Sequence, residues 1–132
     1  MFAHKLHDKS VIATIAVKDL NRARSFYEDK LGLEKKEEEG DEVITYKAGH
    51  SDLLVYKSDF AGGYGATVAT WPVGGDLEDI VEDLREKGVT FEHYPDMPGI
   101  TLKGDIHCAN DNKMKIAWFK DPDGSIIALV NA

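Results

Sequence analysis

Cysteine and histidine are the side chains best suited to act as nucleophile, base or metal ligand near neutral pH, and this chain has one cysteine and five histidines. His107 and Cys108 are adjacent, which suggests a thiol with its base. On a strand, however, neighbouring side chains point to opposite faces. The two cannot work on one substrate, and only one of them can enter a cavity. His4 and His7, with Asp8 beside them, have metal-ligand character at close spacing, but they sit in MFAHKLHDKS, which reads as a solvated tail. Asp121 and Asp123 form a carboxylate pair inside DPDG. There Asp121 can accept turn hydrogen bonds, Pro122 presets a dihedral angle and Gly124 can adopt positive φ, so the pair is turn chemistry rather than catalysis. The glycines of AGGYG (residues 61–65) lack the strand, lysine and helix of a phosphate loop. EKKEEEGDE (residues 34–42) reads as a solvated strand edge that discourages association there.

The elements that would position such groups occur twice. A β-rich run at residues 11–17 is followed by Asp19 as N-cap, then by Leu20, Ala23, Phe26, Tyr27 and Leu31 at helical spacing, and by Gly32 as a left-handed stop. A second run at residues 66–71 is followed by Asp76, then by Leu77, Ile80, Val81 and Leu84, and by Gly88. The interval from Asp19 to Asp76 exceeds that from Gly32 to Gly88 by one residue, so the copies align with a single deletion. Strand-like segments follow each helix, at residues 33–39, 42–47 and 53–56, and then at 89–94, 104–109, 114–120 and 125–130. The sequence therefore predicts a single domain over residues 1–132. Module 1 spans about 10–57, a glycine-rich linker 58–65, and module 2 about 66–132.

Alternation sets the facing of the first strand: Ile15 and Val17 are expected to cover Phe26 and Tyr27, while Ile12, Thr14 and Ala16 point the other way. Two such modules side by side would turn their uncovered faces toward a shared hollow, the natural ligand site. Thr14, Tyr46, Thr70, His107 and Trp118 are the polar or aromatic groups expected to line it. Trp118 falls on the face of Ala128 if Gly124 forms a bulged loop, and His107 joins them if residues 110–113 make a simple turn. A histidine and a tryptophan there would suit a planar or acidic ligand.

Composition narrows the remaining classes. With 24 acidic against 16 basic residues the net charge is -8, and no local basic patch offsets it, so nucleic acid is not an expected partner. No apolar run reaches the length of a membrane helix. The second helix, LEDIVEDLREK, turns an acidic face outward and is expected to pack on a sheet rather than on a membrane. A lone Cys108 fits a reducing compartment, and no secretion signal opens the chain, so a cytoplasmic location is expected.

VKDLNRARSFYEDKLGL (residues 17–33) resembles the opening helix of vicinal-oxygen-chelate proteins, the superfamily of glyoxalases, bleomycin resistance proteins and extradiol dioxygenases. WFKDPDGSIIALV (residues 118–130) resembles their closing hairpin. The resemblance covers residues 10–132 and implies an α+β fold of two βαβββ modules, with mixed sheets curved around a central cavity, helices outside, and homodimeric assembly. Metal-dependent members carry His, Gln or Glu at four places, which fall here on Ile12, Leu53, Ala66 and Ala128. None of these has a lone pair to donate, and a slip of one residue offers only Val11, Ala13, Ile127 or Leu129. The expectation is a metal-free protein, without cofactor, that binds a small organic molecule. Two alternatives are a metal-dependent or acid–base lyase, isomerase or dioxygenase using His107 or Tyr46, and an interaction or regulatory module with a vestigial cavity.

Overall fold

A computed structural model describes residues 6–62 and 65–132. His4, and Gly63 and Tyr64 of the expected hinge, lie outside the described residues. The chain forms two compact units, one comprising Ile12–Ala69, the other Thr70–Ala132 together with the described N-terminal residues up to Val11. Their boundary falls inside strand β5 (Thr67–Pro72).

The first unit holds β1 (Ile12–Val17), α1 (Leu20–Arg24), β2 (Glu34–Glu39), β3 (Val43–Ala48) and β4 (Ser51–Lys57). Their order is β2-β3-β4-β1, with β1 parallel to β4 and the other neighbours antiparallel. The Asp19 carboxylate caps α1 by accepting from the Asn21 and Arg22 amides. After Arg24 the helix widens into a π-helix, Ser25–Lys30, where the Leu31 amide donates to the Phe26 carbonyl. A wider turn rotates every later side chain around the axis. Phe26 and Leu31, expected in the core, are therefore 46% and 52% exposed. Tyr27 still packs on the core of Leu20, Ala23, Ile44, Tyr46 and Val55. Gly32 then takes φ +71, the left-handed stop that only glycine adopts without strain. Ile15 shares the helix side with its partner Val55, yet it remains 37% exposed because Phe26 has turned away from it. Strand β2 is exposed along its whole length, as its charge run requires.

In the second unit α2 (Leu77–Glu86) packs Leu77, Ile80 and Val81 against Phe91, Ile106, Cys108, Ala117 and Leu129. Asp76 stands at the N-cap but makes no side-chain cap bond. A 3₁₀ turn, Gly74–Asp76, leads into the helix, and the Asp76 carboxylate instead receives Lys9 Nζ at 2.6 Å. The strands are β6 (Phe91–Glu92), β7 (Thr101–Lys103), β8 (Ile106–Ala109), β9 (Met114–Lys120) and β10 (Ile126–Val130), in the order β10-β9-β8-β7. The short β6 also pairs with β9, at Phe91↔Phe119 and Glu92↔Trp118. In DPDG the Asp121 carboxylate accepts from the Asp123 and Ser125 amides and Gly124 has φ +92. No helix among the described residues is long and apolar enough to cross a membrane.

Candidate functional site

The register of the second unit sorts its side chains by face. Partners in a ladder share a face and alternate residues change it. His107 pairs with Ile116 and Trp118 with Ala128, so His107, Trp118 and Ala128 share the face turned away from α2. Cys108, Ala117 and Leu129 face the helix.

His107 is 1% exposed and lies edge-to-face against the Trp118 indole, with centroids 4.8 Å apart. The Tyr94 ring adds a third plane, 5.8 Å from the imidazole and 5.3 Å from the indole. The geometry follows from the brevity of β6. Its ladder with β9 stops at Glu92, and the Tyr94 amide, two residues on, donates to His107 Nε2 at 2.8 Å. A side chain thus satisfies a backbone donor that leaves the sheet. The other ring nitrogen, Nδ1, is buried without a hydrogen-bond partner. Burial pushes the His107 pKa below its ordinary value, while the neighbouring Ile116 carbonyl acts in the opposite sense. Burial, and then the Glu92 charge, raise the Tyr94 phenol.

Other expected site residues are placed differently. Tyr46 pairs with Leu53, and Leu53 with Ala13, so all three lie on the helix-covered face of the first unit rather than toward a hollow. Tyr46 is fully buried there, stacks on Tyr27 and donates its hydroxyl to Glu28 Oε2 at 2.8 Å. Burial and the Glu28 carboxylate hold the phenol far above its usual range, which removes Tyr46 as an acid–base candidate near neutrality. Leu53 packs against the same core, so it cannot mark a ligand position on the opposite face. Thr14 is buried on the face turned away from α1 and its hydroxyl donates to the Ile12 carbonyl at 3.0 Å. Thr70 is buried in β5. Ile12 and Ala66 are half-buried, and Ala128 is buried on β10.

Whether these residues could hold a divalent ion is a question of donors. Of the four places expected, Ile12, Ala66 and Ala128 carry only hydrocarbon and Leu53 lies on the other face, and among the described residues no group of three or more His, Cys, Asp or Glu side chains could hold a metal ion. They do not fit a metal at that place. His7 is exposed beside Asp8.

Sequence reasoning missed Tyr94, Glu28 and the cluster in which Asp105 accepts Arg85 Nε at 2.8 Å and lies 2.7 Å from His93 Nε2. The available signal for Tyr94 was an aromatic residue immediately before Pro95, which lacks the N–H that a ladder requires. On the α2 side of β8 a cavity of about 230 Å³ is lined by Glu78, Lys103, Ile106, Cys108, Asn112 and Lys115. Its lysines are engaged, Lys115 with Glu78 and Lys103 with Asn112.

A family model described as Glyoxalase/Bleomycin resistance protein/Dioxygenase superfamily matches residues 10–129. Among solved structures, the chain is similar to a member of that superfamily from Vibrio splendidus 12B01, at 22% identity over 92% of this chain and 97% of that one, with a TM-score of 0.61. It is similar to methylmalonyl-CoA epimerase from Mycobacterium tuberculosis at 23% identity, over 98% and 91% of the two chains, with a TM-score of 0.63. The 2,3-dioxygenase LapB from Pseudomonas sp. KL28 shares 21% identity over 89% of this chain and 38% of its own, with a TM-score of 0.52. Among curated proteins none matches the sequence significantly.

Proposed function

Because the chain belongs to the glyoxalase/bleomycin resistance protein/dioxygenase superfamily, we propose that it binds a small organic molecule against the face of its second unit that carries His107 and Trp118. Binding there needs no metal at the family's usual places. The observation that supports this reading is a buried nitrogen without a full hydrogen bond, on an imidazole clustered with the Trp118 and Tyr94 rings. Buried polar groups are nearly always hydrogen-bonded, and an exception beside π surfaces is the arrangement a planar ligand completes. The epimerase and dioxygenase similarities supply the fold and not the chemistry, and the metal-dependent lyase and dioxygenase readings find no ligand set among the described residues.

Ligand binding is tested by the fluorescence of Trp118 in a Trp71→Phe background, screened against dyes, aromatic acids and glycopeptide antibiotics. At least one class is expected to quench Trp118, and at a hundred times its Kd to stabilise the fold by about 2.7 kcal/mol. A library that neither quenches Trp118 nor shifts Tm removes the proposal. Metal content is measured on a His4→Ala/His7→Ala variant soaked with zinc, nickel, manganese or iron. It should stay well below one equivalent, and a stoichiometric ion would return the metal-dependent readings to first place. The proposal includes a homodimer, for which the exposed Phe26, Leu31 and Phe60 offer apolar surface. A monomer in sedimentation velocity at high concentration would remove that part alone.

A further inference from the structure

We infer that His107 is a locked hydrogen-bond donor, protonated at Nδ1 and never at Nε2, so that the ligand of this face is an oxygen acceptor: a carboxylate or carbonyl carried on a planar unsaturated body. This deepens the ligand-binding reading above and rests on it.

A backbone N–H can only donate. The Tyr94 amide lies 2.8 Å from His107 Nε2, so that nitrogen must present its lone pair. A neutral imidazole carries one proton, and here it can reside only on Nδ1. Charging the ring would put a second proton where the Tyr94 amide already points, and would place the cation where only 1% of the residue reaches solvent. Both effects hold the ring neutral and fix its tautomer.

Nδ1 is then a buried donor without a well-formed hydrogen bond. The carbonyl of Ile116, the strand partner of His107, lies close enough to act on the ring as a hydrogen-bond acceptor and raise its pKa, yet it falls short of full hydrogen-bond geometry with Nδ1. A group that is purely a donor discriminates sharply. It rewards a ligand oxygen and repels an ammonium or any group that brings only N–H. The surroundings bear on the rest of the ligand, because the imidazole is in T-shaped contact with Trp118 and tilted contact with Tyr94, so π surface accompanies the donor. Glu92, the registered neighbour of Trp118, carries a carboxylate on the same face, and that carboxylate is paired with Lys120.

The test is nitrogen NMR of the full chain labelled at histidine, with the His107 signals identified by their loss in His107→Asn. The expected result is a protonated Nδ1 and an unprotonated Nε2 at about pH 6.5, where an ordinary imidazole is half charged. Benzoate and acetophenone, a carboxylate and a neutral carbonyl, should move the Nδ1 signal, and benzylamine should not. The response to the two acceptors separates an anionic from a neutral ligand. An Nε2-protonated ring, or one that charges at the ordinary histidine pH, overturns the inference. So does an Nδ1 signal that neither acceptor moves at saturating concentration, which would mean that Ile116 satisfies it. In either case, quenching of Trp118 by other compounds would still uphold the broader ligand reading, so the two failures are distinguishable. His107→Asn, whose side-chain amide can stand in for the Nδ1 donor, should bind benzoate within about threefold of the parent, whereas His107→Leu should lose about tenfold, the worth of one hydrogen bond. Equal binding by the parent, Asn and Leu variants also overturns the inference. The spectra of the parent protein decide the tautomer if the Leu variant does not fold.

Discussion

The two modules share an architecture but place their buried polar aromatic groups on opposite faces. In the first, Tyr46 lies beneath the helix and its hydroxyl is satisfied by Glu28 at 2.8 Å. In the second, His107 lies on the face away from the helix, and one of its two nitrogens has no partner. A satisfied buried polar group specifies packing, whereas an unsatisfied one costs stability and calls for an explanation. The difference teaches that two copies of one scaffold can satisfy a buried polar aromatic group to different degrees. The π-turn after α1 contributes to this asymmetry, because it brings Glu28 within reach of Tyr46, and the regular α2 has no counterpart.

The comparison breaks most visibly if the helix-covered faces are not the structural cores. Ile44→Ala in the first unit and Leu77→Ala in the second remove fully buried side chains. Each is expected to cost about 2–5 kcal/mol in urea denaturation. A cost below about 1 kcal/mol at either position would mean that the face assignment is wrong.

Tyr46 and His107 sharpen it further. Tyr46→Phe removes a hydrogen bond to a partly buried carboxylate and should cost about 1.5–3 kcal/mol. The pH windows of the two groups lie on opposite sides of neutrality. The folded Tyr46 pKa is raised, so its contribution is complete below the unfolded value of 10.0 and is lost as pH climbs above it. The folded His107 pKa is lowered, so its contribution is complete above the unfolded value of 6.5 and is lost as pH falls below it, toward the depressed folded value. Stability measured across pH should decline on both flanks. Tyr46→Phe should flatten the alkaline flank, and His107→Asn should flatten the part of the acid flank just below pH 6.5. If His107→Asn leaves that decline untouched, the histidine is not held neutral.

Sequence reasoning reached whatever depends on local chemistry. Asp19, Gly32, Gly88 and the DPDG turn behave as their residue types require, and the shared face of His107, Trp118 and Ala128 follows from alternation once the two hairpin loops are counted. Tyr46 and Leu53 were not legible in the same way. Alternation gives the relative facing of residues within a strand, but which set meets the helix depends on the pairing of β3 with β4 and of β4 with β1. Phe26 was misplaced because nothing in SFYEDK announces a π-turn. Tyr94 was missed because its contacts with His107 and Trp118 exist only if β6 stops after two residues.

The smallest difference between the modules lies in their helix caps. Asp19 and Asp76 occupy equivalent places, but only Asp19 accepts amides of its own helix, while Asp76 is paired with Lys9. Asp19→Ala should cost about 1 kcal/mol, and Asp19→Asn should recover most of it, since the amide oxygen can accept the same bonds. Asp76→Asn should cost about 0–1 kcal/mol, the worth of a partly exposed ion pair. Salt separates the mechanisms. At 1 M salt, where screening reaches about 3 Å, the Asp76→Asn effect should shrink, whereas the Asp19→Ala effect should persist because a short neutral-donor cap bond does not depend on distant charge. If Asp19→Asn costs as much as Asp19→Ala, or if salt erases both effects alike, the two aspartates act through charge alone and the caps do not differ as the hydrogen bonds indicate.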